Sequence, residues 1–197
     1  PDINLYHRIR ETCDILINVL IRPRFGDFCY TDEEFEIILR DVKMFREAGA
    51  DGVVIGILKP DGSLDVERMA ILMEEAKGMS VTLHRAFDVC SDPMLALRQS
   101  KELGIDTILT SGQKNTALEG RDLLTTLVRE AAGEIDILIG SGVKDSVIEP
   151  LAKQTGATSF HMSGKITLDS PMVYRKEDVS MGLPLVSEYT IWQTSAE

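Results

Sequence analysis

The sequence predicts an α/β protein of the (β/α)8 TIM-barrel class, and three observations predict it. Short β-branched runs alternate with longer amphipathic ones from residue 3 to residue 160, the pattern of βα units that build a parallel sheet. Passages from helix to strand repeat one signature, EAGADGVVIG, ELGIDTILTSG and QTGATSFHMSG, in which glycine takes the left-handed C-cap and a buried strand follows. Polar residues crowd one end of successive strands, which is where a barrel gathers its chemistry. The competing doubly wound sheet would carry GxGxxG after its first strand with an acidic residue downstream, and nothing in the chain fits.

In chain order, a helical pattern over residues 3–12 precedes the first apolar run, INVLI at 17–21. The next helix spans 31–48. Its start, Thr31-Asp-Glu-Glu34, sets Thr31 as N-cap and Glu34 at the capping-box position. Strand VVIGIL at 53–58 is followed by a helix at 66–77, and strand VTL at 81–83 by a helix at 93–103. Ser91-Asp-Pro93 opens that helix with proline in its first turn. Strand TIL at 107–109, helix 120–132, strand IDILI at 135–139, helix 146–153 and strand TSF at 158–160 complete the series. Six strands are countable where a closed barrel has eight, and residue 1 is a proline leading straight into a helix. The expectation is one barrel domain over residues 1–197, N-terminally incomplete, with its first two βα units absent from this chain.

Composition narrows the function classes. At 44% hydrophobic and 27% charged residues the profile is that of a soluble globular chain. A net charge of −11 repels nucleic acid and anionic membrane surfaces, so neither is an expected partner. Apolar runs are strand-sized, well short of the roughly 18 residues of a membrane span. Cysteines are three, Cys13, Cys29 and Cys90, widely spaced and without a CxxC or CxxH pair. That count suits free thiols in a reducing compartment, and the cytoplasm is the expected location. Cys13, at the far end of a helix, is expected in the core.

The strand ends carry the candidate chemistry. They read Arg22-Pro23-Arg24, Lys59-Pro60, His84-Arg85, Thr110-Ser111-Gly112, Gly140-Ser141-Gly142 and His161-Met162-Ser163-Gly164. Guanidinium forks match carboxylate and phosphate oxygens, so Arg22, Arg24 and Arg85 are candidate anion-binding residues. Ser111, Ser141-Gly142 and Ser163-Gly164 offer hydroxyls and closely approachable backbone N–H groups to the same ligand. IGSGVKD, residues 139–145, resembles the phosphate-binding turn that barrels build after a late strand. His84 and His161 fall at equivalent strand ends, and with Asp88, four residues after His84, they are the candidates for moving protons. Asp88 would orient an imidazole or an arginine. The structural alternatives are a tight turn at Gly140 and Gly142, pairing of Arg22 and Arg24 with Asp27 or Asp32, and His84 as a filled core position.

NVLIRPRFGDFCYTDEEFEIILRDVKMFREAGADGVVIGILKPDGSLD, followed by VTLHRAFD, ILTSG, ALEG, GATSFHMSG and SEY, resembles the CutC family, described as copper-homeostasis proteins. The IRPRxGDFxY and HRAFD segments carry most of the specificity, and the likeness runs from about residue 17 to residue 190. The resemblance implies a TIM barrel with two strands upstream of Pro1 that contribute to its site, and a closing helix beyond the C-terminus. It also implies a cytoplasmic role in copper homeostasis with Cu(I) bound or trafficked, and no assigned reaction. The thiols that could hold Cu(I) are Cys29 and Cys90, which both follow strand ends; the eight methionines are scattered, with Met69 and Met73 sharing a packed helix face. Two functions therefore stand: copper homeostasis, or an enzyme acting on a small phosphorylated or carboxylated metabolite through the strand-end cleft. The expected partner is a copper ion or a small anionic ligand, with a homo-oligomer open.

Overall fold

The computed structural model describes residues 2–176, 178–179 and 187–195. They form two compact units, Pro1–His161 and Met162–Glu197. In the first, six strands pair in the order of the sequence, β1 (Asn18–Leu20), β2 (Gly52–Ile55), β3 (Ser80–Leu83), β4 (Thr107–Thr110), β5 (Asp136–Ile139) and β6 (Ser159–Phe160). Every neighbouring pair is parallel. Helices α1 (Ile3–Thr12), α2 (Asp32–Glu47), α3 (Val66–Glu75), α4 (Pro93–Leu103), α5 (Arg121–Ala131) and α6 (Asp145–Thr155) alternate with them. The sheet is TIM-barrel-like, six parallel strands with β1 and β6 at its two ends.

Local chemistry explains where the helices begin and end. The Thr31 hydroxyl accepts the Glu34 N–H at 3.2 Å while the Glu34 carboxylate accepts the Thr31 N–H at 2.9 Å, the reciprocal box expected from the sequence. Within Ser91-Asp-Pro93, Asp92 caps α4, accepting from the N–H groups of Met94 and Leu95, with Pro93 opening the helix. Gly104 and Gly156 end α4 and α6 in the left-handed conformation, at φ 76° and 75°.

Each strand divides its side chains between two faces. Val53, Ile55, Ile108, Ile137 and Ile139 are buried beneath the helices in one core that also holds Phe45, Met69, Leu72 and Leu97. The alternate residues Val54, Leu109 and Leu138 are only half-buried. Cys13 departs from expectation: it is the extended C-cap residue of α1, where the chain turns out of the helix, and it is exposed.

The VVIGIL run does not stay in the sheet. Strand β2 ends at Ile55, and Ile57 and Leu58 continue as a connecting segment in which Leu58 bridges Leu64. In the second unit β7 (Lys165–Asp169) and β8 (Thr190–Thr194) pair antiparallel, a pairing that the βα rhythm does not announce because its strands are almost entirely exposed.

Candidate functional site

Strand ends β1, β3 and β6 converge on one cavity of about 400 Å3. Its wall takes Asn18 and Leu20 from β1, Val54 from β2, Thr82 from β3, Leu109 from β4 and Leu138 from β5. Cross-strand register explains the common face: Leu20 pairs with Val54, Val54 with Thr82, and Leu109 with Leu138. At the strand ends Arg22, Phe28, His84, Arg85 and His161 complete the lining. The volume falls within the range of small-molecule pockets.

Two buried polar residues line this cavity, Thr82 and His84, and His84 is 4% exposed. It follows β3 as N-cap of a 3-10 turn, Arg85–Val89, and its Nδ1 accepts the Ala86 N–H at 3.1 Å. That bond leaves the proton of the neutral ring on Nε2, and Nε2 is buried without a partner. Burial, reinforced by the nearby charge of Arg22, pushes the imidazole pKa down to about 4, so the ring is neutral at pH 7. The Phe28 ring lies 4.9 Å away, centroid to centroid. On the other side Gly56 makes room: a Cβ there would sit 2.7 Å from both Cε1 and Nδ1 of His84.

Arg22 is held by aromatic faces rather than by acids. Its guanidinium lies 4.5 Å from the Phe28 centroid and 5.7 Å from that of Phe25, and Nη2 donates to the Gly26 carbonyl at 2.6 Å. No carboxylate pairs with it among the described residues, and its Nε is buried without a hydrogen-bond partner. The Tyr30 hydroxyl, buried beside Arg22, has no hydrogen bond of good geometry; burial raises its pKa, against the charges of Arg22 and Arg24 and the closeness of the Arg22 guanidinium.

Arg85 and Asp88 form a different arrangement. Arg85 Nε donates to Asp88 at 2.6 Å, and Nη2 donates to the Ser111 hydroxyl at 2.9 Å. The Asp88 carboxylate, 6% exposed, also accepts from the Thr110 hydroxyl at 2.5 Å and from the Ser111 and Gln113 N–H groups. Of the two partners expected for it, imidazole or guanidinium, Asp88 takes the guanidinium. Ser111 is fully buried, and its hydroxyl donates to the Lys114 carbonyl at 2.5 Å, so it braces the turn behind Arg85.

Of the other candidates, all but His161 stand apart from the cavity. Arg24 pairs with Glu34 at 2.5 Å and Asp27 at 2.9 Å, which raises its pKa, and it stacks on Tyr30. Ser141, at φ 74°, donates to the Asn115 carbonyl at 2.7 Å, and Gly142 packs against Thr116. The IGSGVKD turn is thereby fastened to the 115–117 loop. His161 is exposed and lines the cavity. Ser163 and Gly164 belong to the second unit, where their carbonyls accept from Thr194 and Ser195.

The cysteines do not assemble a soft-metal site. Cys29 is half-buried and lines a separate recess with Asp27, Lys59 and Pro60. Cys90 is buried, and that burial pushes its thiol up to about 11, away from the thiolate that Cu(I) prefers. No group of three His, Cys, Asp or Glu side chains able to hold a metal occurs among the described residues. The donor set therefore does not fit a resident copper ion.

Phe28, Gly56, Thr82 and the half-buried leucines went unnoticed in the motif reading. The period-two alternation within each strand, which sets Val54, Leu109 and Leu138 opposite the buried residues, was the available signal.

A parallel TIM-barrel-like sheet with a ligand-sized cavity reaching its C-terminal strand ends defines a class of α/β protein. Within that class, the model of the CutC family matches residues 1–166, and the chain belongs to this family. A family protein CutC of Parabacteroides distasonis is 48% identical over 187 residues, covering 94% of this chain and 77% of the relative. The human "Copper homeostasis protein cutC homolog" is 40% identical over 192 residues, covering 97% and 70%. A crystal structure of CutC from Streptococcus agalactiae superposes with a TM-score of 0.74 at 31% identity, covering 80% of this chain and 77% of that one.

Proposed function

We propose that the cavity beside Arg22 and His84 binds a small anionic metabolite, and that the sheet is the wall of a (β/α)8 barrel whose function sits at its C-terminal strand ends. One observation carries the reading. His84 Nε2–H and Arg22 Nε–H are buried donors without protein acceptors, and both residues line the same cavity. An orphaned buried donor costs about 1–3 kcal/mol, which a bound oxygen would recover. His84, neutral and donating, polarises the bound group; His161 at the exposed rim is the group placed to exchange a proton with solvent. Soaking crystals in 4-bromobenzoate, whose aryl bromide does not alkylate histidine or cysteine, tests this directly. Anomalous density in the cavity, with the carboxylate within hydrogen-bonding distance of Arg22 and His84, is expected, and bromine found only elsewhere would reject the site.

The family name favours a second reading, in which the protein handles Cu(I) as cargo through Cys29 and Cys90. The three free cysteines suit the reducing cytoplasm, which is where we place it. Cu(I) titration against a competing chelator decides: stoichiometric binding lost in Cys29→Ser/Cys90→Ser supports the reading, and weak binding unchanged by both substitutions removes it.

A further inference from the structure

We propose that the ligand of this cavity is a monoanionic carboxylate bearing a hydrocarbon body, in preference to a phosphate ester or a polyol. The proposal rests on the anion-binding reading above and names its ligand class.

Charge comes first. Of the three strand-end guanidiniums, Arg24 is matched by Glu34 and Asp27, and Arg85 by Asp88. Arg22 is left as the uncompensated cation in the lining, and the neutral His84 adds a donor without adding charge. One net positive charge matches a carboxylate. A dianionic phosphate would bring a second charge out of water with nothing to meet it, which is expensive in a low-dielectric site.

Donor number agrees. Arg22 Nε and His84 Nε2 are two orphaned donors, and a carboxylate has two oxygens to satisfy them. Tyr30 lies outside the lining and acts on this end only through Arg22, whose charge it feels. Below this polar end the wall is mostly hydrocarbon, Leu20, Val54, Leu109 and Leu138, with Asn18 and Thr82 as its polar side chains. Two such groups replace the water around only a small part of a polyol's hydroxyls, whereas each buried methylene contributes about 0.8 kcal/mol.

Calorimetric titration at pH 8, where a phosphate monoester is dianionic, compares hexanoate, hexyl phosphate and 1-hexanol. Hexanoate is expected to bind about tenfold or more tightly than either of the others, the worth of a charge-assisted hydrogen bond. Arg22→Gln should abolish that preference. Leu138→Phe, which narrows the wall without touching the polar end, should weaken hexanoate while the thermal unfolding midpoint shows that the variant is folded. Hexyl phosphate binding at least as tightly as hexanoate, and lost in Arg22→Gln, would overturn the carboxylate assignment and leave the anion site standing. Hexanol equal to hexanoate, no binding by either anion, or hexanoate binding untouched by both substitutions would overturn both.

Discussion

His84 shows how a single side chain links the stability of this protein to its chemistry. The ring is buried and neutral, with a pKa of about 4 against an ordinary 6.5. Between those values the unfolded chain takes up a proton that the folded chain refuses, so stability falls as pH falls from about 6.5 to 4. Urea titrations should show up to about 3 kcal/mol lost across that window, and His84→Gln should flatten the slope. The depressed carboxylates Asp27, Glu34 and Asp51 make their contribution at lower pH, below their ordinary value of about 4, which keeps the two effects apart. Gly56 acts on the same ring by its lack of a side chain. Gly56→Ala should cost about 1–3 kcal/mol of overpacking and displace the imidazole, visible as a shift of the His84 ring resonances in an NMR spectrum. The sequence displayed the histidine and the arginine but not their state: HRAFD reads equally well as a paired or a free cation, and only the placement of Asp88 made Arg85 the first kind, while Arg22 is held by Phe25, Phe28 and the Gly26 carbonyl.

The repeated helix-to-strand junctions show what a recurring aspartate does within an element. After the α2 and α4 helix ends, Asp51 and Asp106 turn back to accept the backbone N–H at the foot of the preceding strand, Ile17 at 2.8 Å and Val81 at 2.7 Å. Asp51 also pairs with Arg10. Each carboxylate thus fastens two neighbouring βα units where ladder bonds have not yet begun. Asp106→Ala should leave the Val81 N–H unpaired and lower the unfolding free energy by about 1–3 kcal/mol. Loss of a helix cap is a milder case: Thr31→Ala should cost about 1 kcal/mol by removing half of the reciprocal box, measurable in the same denaturation series. Helices and their caps were legible because capping is local, settled within four residues. Strand length was less so, since VVIGIL has the composition of one strand and is divided by the needs of the neighbouring His84 ring.

At the scale of the molecule, every buried hydrophobic residue described lies between Tyr6 and Ala157, in the first unit. A chain ended after residue 161 should therefore keep a cooperative unfolding transition and its near-ultraviolet dichroism, and a gradual transition would show that the core needs residues 162–197. What the sequence determined by itself was the alternation of helix and strand and the parallel sheet, because hydrophobic period, capping residues and C-cap glycines act over a few neighbours. What only the tertiary structure decided was which polar strand ends share a cavity and which arginine keeps its charge unmatched. Those outcomes depend on residues far apart in the chain, Glu34 with Arg24, Asp88 with Ser111, Phe28 with Arg22, and distance in space follows from register between strands rather than from spacing along them.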